Sequence, residues 1–148
     1  VHVDQRYRQI GLVVAAILVI ILGLSLRAYG YRLGLSFLIV KYGGSLLWGA
    51  MVYLLIAATL PRQKTGIVWP LATTLAIAVE LLRLVHTPWL DAFRETTAGA
   101  LLLGKVFSLW NILAYTLGIT LAALITHWLG GKARRGGLED QPGSSQHQ

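Results

Sequence analysis

Glu80-Leu-Leu-Arg83-Leu-Val-His86-Thr-Pro88-Trp89-Leu-Asp91-Ala-Phe-Arg94 begins inside an apolar run long enough to cross a bilayer and ends in a segment holding most of the charge found away from the chain's ends. An ionised side chain at membrane depth costs about 3 kcal/mol on insertion scales, so such a residue faces a partner or a wet cavity and is a functional candidate by default. On a helix Glu80 and Arg83 lie three apart and share a face, with His86 one turn further along the same stripe. This stretch therefore indicates both the class of the protein and the place of its polar site.

Composition agrees. The 148 residues are 55% hydrophobic and 13% charged, with a mean hydropathy of +0.63, whereas an ordinary soluble domain is about 25% charged. The chain reads as one integral membrane domain. It contains no cysteine, which removes disulfides, thiolate metal sites and cysteine nucleophiles. The net charge of +7 sits in basic residues that flank apolar runs, a topology pattern, so no nucleic-acid partner is expected. His86 and His127 fall near opposite ends of the expected spans and cannot bracket one haem. Neither a metal nor a cofactor is expected.

Residues 1–9 are polar, with Arg6 and Arg8 ahead of an apolar run at 10–26. The run is long for a signal-peptide core and no small-residue cleavage pattern follows it, so it is read as the first span. A second span runs from 35 or 41 to 60, with Lys41-Tyr-Gly-Gly-Ser45 at its start and Pro61 beyond its end. The third covers 67–86, and Pro88 terminates it. Between 89 and 108 the chain is neither fully apolar nor fully polar, and its apolar part, 98–103, is too short to span; a short re-entrant or interfacial helix is expected. The fourth span covers 109–129. Ser45 with Gly49, Ala72 with Ala76, and Ala114, Gly118 and Ala122 form small-residue stripes for close helix packing. Residues 130–148, rich in Gly, Ser and Gln, are expected to be a disordered tail. The fold class that follows is all-α, a polytopic transmembrane four-helix bundle spanning 10–129, with the short helix between spans three and four.

Four spans put both termini on one side with the 61–66 loop, where Arg6, Arg8, Arg62, Lys64, Lys132, Arg134 and Arg135 collect. That side is expected to be cytoplasmic. The opposite face gathers Arg27, Arg32, Lys41, Glu80, Arg83, His86, Asp91, Arg94, Glu95 and Lys105, so the basic excess on the first side is modest. A surplus of guanidinium and ammonium groups over carboxylates suits an anion, and at an outer leaflet the concentrated anion is a lipid head group. Arg27, Lys41, Arg83 and Arg94 are the anion-binding candidates; Glu80, Asp91, Asn111 and Tyr115 are the groups that orient them. A charge network that only fixes helix register would require the same residues. No catalytic constellation stands out: there is no Ser/His/Asp arrangement or phosphate-binding glycine loop, and Glu80 and Asp91, on either side of Pro88, have no fixed separation. The function expected is binding of an anionic envelope lipid or lipid-linked precursor. The competing reading is a non-catalytic subunit or assembly factor of a larger membrane complex, docking another membrane protein through the small-residue stripes. A third is an enzyme acting on lipid-linked substrates.

Lys41-Tyr-Gly-Gly-Ser-Leu-Leu-Trp48, Glu80, Pro88-Trp-Leu-Asp91-Ala-Phe-Arg94, Leu101-Leu-Leu-Gly104 and Trp110-Asn-Ile-Leu-Ala-Tyr115 with Gly118 resemble a small bacterial family of uncharacterised four-span membrane proteins related to VanZ-like proteins. The family pattern usually has aspartate at Ser45, glutamine at Arg83 and aspartate at Asn111; the chain is more basic at these positions. VanZ-like proteins are associated with resistance to a glycopeptide antibiotic that targets a cell-wall lipid precursor, so the resemblance implies a bacterial cytoplasmic (inner) membrane protein and points to the outer leaflet.

Overall fold

The computed structural model describes residues 2–60, 65–104 and 106–139, and the regular structure among the described residues is entirely helical. In chain order the helices are α1 (His2–Tyr29), α2 (Phe37–Thr59), α3 (Thr65–Leu82), α4 (Pro88–Glu95), α5 (Thr97–Leu102) and α6 (Leu109–Glu139). Three stretches, Gln5–Tyr29, Phe37–Thr59 and Leu109–Gly131, are long and apolar enough to cross a membrane, which marks the chain as a membrane protein. The apolar part of α3, Gly66–Leu82, is shorter; at ~1.5 Å per residue the whole of α3 is ~27 Å long.

Helix α2 is the centre of the packing, with α1 and α6 against it and α3 seated against α6 and α2. Small residues set the closest approach. A Cβ at Gly118 would run into the Leu46 carbonyl, and one at Gly49 into the backbone of Tyr115, so α2 and α6 cross with their main chains touching. Ala72, Ala76 and Ala122 are buried in the same core, beside Val52, Tyr53, Val68 and Ile119. The opposite faces are also apolar, with Ile17, Leu18, Ile21 and Leu124 exposed, as helices surrounded by lipid require. At the far end of α1, Arg8 Nη1 donates to the Leu60 carbonyl at 3.3 Å, tying the start of α1 to the end of α2.

Three details depart from the sequence reading. Helix α3 ends at Leu82, short of 86. Its last carbonyls are taken by i→i−3 bonds, Arg83 N to Glu80 O (3.2 Å), Leu84 N to Leu81 O and Val85 N to Leu82 O (both 3.0 Å), the tighter winding that finishes many α-helices. Pro88 therefore does not end a span; it stands at the start of α4, where its missing N–H is not needed. The segment expected to hold one short helix holds two, α4 and α5, split at Thr96. That residue ends α4 and caps α5: its Oγ1 accepts from Gly99 N at 3.0 Å and donates to Phe93 O at 2.6 Å. A Cβ at Gly99 would strike the Phe93 carbonyl, so only glycine permits the tight corner. Finally, α6 continues to Glu139, through part of the stretch expected to be disordered. Lys132, Ala133, Arg134 and Arg135 are good helix formers between Gly130, Gly131, Gly136 and Gly137, each of which is unfavourable by about 1 kcal/mol relative to alanine. Residues 140–148 of the tail and 61–64 of the expected loop lie outside the described residues.

Substituting Gly118 by leucine should separate α2 from α6 and lower stability by about 1–3 kcal/mol, the usual penalty of overpacking. A fall in the thermal unfolding midpoint in mild detergent checks it, and an unchanged midpoint would mean that the crossing is loose.

Candidate functional site

Glu80, on the last turn of α3, is fully buried. Its Oε1 accepts from Arg83 Nη1 at 2.8 Å, from the backbone N–H of Ser108 at 2.7 Å and from Asn111 Nδ2 at 3.2 Å. Its Oε2 lies 2.6 Å from Arg83 Nη1. Ser108 immediately precedes α6, so the carboxylate sits at the positive end of that helix's dipole as well as beside a guanidinium. These partners make a buried charge tolerable.

Arg83 is the hub. Beyond Glu80, its Nε donates to the Leu103 carbonyl, Nη1 to Val106 O at 3.2 Å and Nη2 to the Tyr115 hydroxyl at 2.8 Å. The loop after α5 is thus drawn over the guanidinium. At its turn Gly104 has φ +68°, and a Cβ there would lie 2.7 Å from Arg83 Cζ; glycine is required both by the backbone and by the close approach. Asn111 extends the network, accepting through Oδ1 from Ser45 Oγ on α2 at 3.2 Å. Helices α2, α3 and α6 are so joined by one chain of polar contacts.

A separate cluster latches α4 to the end of α3. Arg94, 3% exposed, donates to the carbonyls of Leu82 (2.6 Å) and Val85 (2.8 Å) and to Asp91 Oδ1 (2.7 Å). His86 Nδ1 lies 3.3 Å from the same Asp91 oxygen, on the exposed side. His86 pairs with Asp91, not with Glu80.

Between α1, α2, α5 and α6 is a cavity of about 580 Å³. Its polar lining comes from Arg27, Lys41, Ser45, Arg83, Asn111 and Tyr115, and its apolar walls include Val19, Gly23 and Leu24 on α1 and Leu47, Trp48 and Met51 on α2. Arg27 leans towards α2, its Nε 3.9 Å from where a Gly44 Cβ would be, and it makes no hydrogen bond or ion pair with a described residue. Lys41 Nζ lies 5.4 Å and 5.2 Å from the ring centres of Phe37 and Tyr42, within cation–π range. Trp48 packs on Tyr115 with ring centroids 4.8 Å apart, and its buried indole N–H has no partner among the described residues.

Of the eight residues singled out in the sequence, Arg27, Lys41, Arg83, Asn111 and Tyr115 line this cavity, and Glu80 stands directly behind Arg83 and Asn111. Asp91 and Arg94 do not line it. Sequence reasoning missed Trp48 and Gly104 as site residues. Lys41, Gly44, Ser45 and Trp48 recur at helical spacing, which was the available signal for one wall; the Gly104 turn had none.

The chain belongs to the family described as Protein of unknown function (DUF2809), whose model matches residues 35–119. The match takes in α2 to α5, the first part of α6 and, with them, every residue of the Glu80 network; Arg27 lies ahead of it. No solved structure matches the chain.

Replacing Glu80 by glutamine leaves a buried guanidinium without its countercharge, and such losses are typically about 3–5 kcal/mol. The Glu80→Gln variant should unfold well below the native chain in detergent, while Glu80→Leu combined with Arg83→Met should recover part of the loss. Equal stability of Glu80→Gln and the native chain would show that the pair does not hold the fold.

Proposed function

We propose that α1, α2, α3 and α6 cross the membrane as a four-span bundle, that α4 and α5 form an interfacial or re-entrant segment, and that the cavity binds an anionic envelope lipid through Arg27 and Lys41. The observation that carries this reading is the shape of the cavity relative to its charges. From Arg27 back to Val19 on α1 is ~12 Å, and from Lys41 to Met51 on α2 is ~15 Å, at ~1.5 Å per residue. That is about half of a ~30 Å hydrocarbon core. A site with two cations at one end and apolar walls reaching one leaflet's depth suits an amphiphile better than a soluble anion, which would gain nothing from Val19, Leu24, Leu47 and Met51.

The four basic candidates then divide into two pairs. Arg83 and Arg94 are buried and direct most of their donors to carbonyls, carboxylates and the Tyr115 hydroxyl, so they position the walls and the α3–α4 corner. Arg27 and Lys41 keep their charge for a ligand. The basic residues at the opposite end, among them Arg6 and Arg8, support a cytoplasmic placement of that end, with the cavity then facing the outer leaflet. The likeness to VanZ-like proteins, associated with resistance to an antibiotic aimed at a cell-wall lipid precursor, points to the same leaflet of a bacterial inner membrane.

Native mass spectrometry of the protein extracted from its own membrane tests the reading. The native chain should carry an adduct with the mass of an anionic lipid. At ~1 kcal/mol per cation, Arg27→Gln with Lys41→Gln should weaken its retention by about 30-fold. A bare native chain, or an adduct indifferent to both substitutions, would contradict the proposal; a retained protein subunit would instead favour a role within a larger complex.

A further inference from the structure

We infer that the cavity seats one hydrocarbon chain of the bound lipid against Trp48, and that the lipid reaches it sideways from the membrane, through the gap between α1 and α5. This rests on the lipid-binding reading above and specifies the ligand class: an amphiphile with a compact phosphate head, held between Arg27 and Lys41, and a single chain inside the protein.

Three observations carry it. The first is volume. About 580 Å³ lies within the ~300–1,000 Å³ of ordinary ligand pockets and gives room for one lipid chain. A second chain, where the lipid has one, stays in the bilayer. The second is the packing of the walls. Helix α1 packs on α2, and no extensive packing joins it to α5 or α6, yet residues of α1 and α5 line the same cavity. Ile20 and Leu24 on one side and Leu102 on the other are both lining residues and exposed ones, at 36%, 45% and 53%. They form an apolar lip, which a lipid chain can pass and a hydrated ion cannot. Across the gap, α5 presents the small side chains of Ala98 and Ala100, which leave room for a chain to enter. The third is the floor. Trp48 and Tyr115 make a tilted aromatic pair at the junction of α2 and α6, about one turn further along these helices than Ser45 and Asn111, while the polar groups nearer the cations, Arg83 and Asn111, are turned into the Glu80 network. The ligand therefore meets ring and methylene surface below its head, with Arg27 and Lys41 above.

Bromine-labelled lipid chains quench tryptophan on contact, and the chain has five tryptophans. A variant of the full chain keeping only Trp48, with phenylalanine at 69, 89, 110 and 128, is reconstituted in vesicles containing brominated phosphatidylglycerol or, at the same mole fraction, brominated phosphatidylcholine. Quenching of Trp48 should be several-fold stronger with the anionic lipid, and the difference should disappear with Arg27→Gln and Lys41→Gln. Should the single-tryptophan variant fail to fold, the quenching difference between the native chain and Trp48→Phe reads the same contact. An added polyprenyl phosphate separates the sources of the shared phosphate-and-chain chemistry: relief of quenching assigns the seat to a single-chain lipid, and no relief assigns it to the phospholipid. Either result supports a chain in the cavity. Equal quenching by the two brominated lipids, with an anionic lipid still retained in native mass spectrometry, overturns the inference while leaving lipid binding intact. Absence of any retained lipid defeats both.

Discussion

One buried ion pair governs the polar end of this molecule. Glu80 is shut away at the end of α3, and a carboxylate in such a place demands several donors at once. It finds them in Arg83, three residues on and just beyond the end of α3, in the Ser108 backbone N–H and in Asn111. Those three requirements fix where α6 begins. Arg83 in turn has donors to place, and the Leu103 and Val106 carbonyls and the Tyr115 hydroxyl receive them. The loop after α5 has to fold across the guanidinium, Gly104 has to supply its turn, and Tyr115 has to stand where it can pack on Trp48. The side of the cavity formed by α5 and α6 is a consequence of satisfying a single acid.

Such a pair contributes more to uniqueness than to net stability, because the cost of dehydrating both ions offsets much of their attraction. Its value lies in what it excludes. Sliding α3 against α6 would part Glu80 from the Ser108 N–H and from Asn111. Elsewhere the same helices touch through Gly49, Gly118, Ala72, Ala76 and Ala122, contacts that admit close approach but specify register only by steric fit. The small residues set the distance between helices and the ion pair sets their offset.

Much of this was legible in the sequence, and the legible parts share a physical cause. Long apolar runs announce membrane helices because no soluble fold hides so much hydrocarbon. A lone acid three residues from an arginine announces its own partner, since helix geometry places them together. The small-residue stripes likewise mark contacts that only glycine or alanine allows. What could not be read depends on carbonyls. Arg94 looked like a free cation, but the carbonyls of Leu82, the last residue of α3, and of Val85 just beyond it claim it, and no side-chain pattern reveals which main-chain acceptors are in reach. The early end of α3 escaped for the same reason, being settled by hydrogen bonds among backbone groups every residue possesses, whereas the division at Thr96 rests on its hydroxyl and on Gly99. Separating Arg27 and Lys41 from Arg83 and Arg94 therefore needed the fold.

The proposal at the centre of this account is that Arg27 and Lys41, whose side chains form no hydrogen bond or ion pair with the described residues, hold a lipid phosphate, with the cavity receiving its chain. An experimental structure in nanodiscs of native membrane lipids tests it most directly. The account predicts compact head-group density within hydrogen-bonding reach of both Arg27 and Lys41, continuing as one chain between α1 and α5 to Trp48. A cavity filled by water or by the protein's own side chains, with Arg27 and Lys41 turned to bulk solvent, would contradict it.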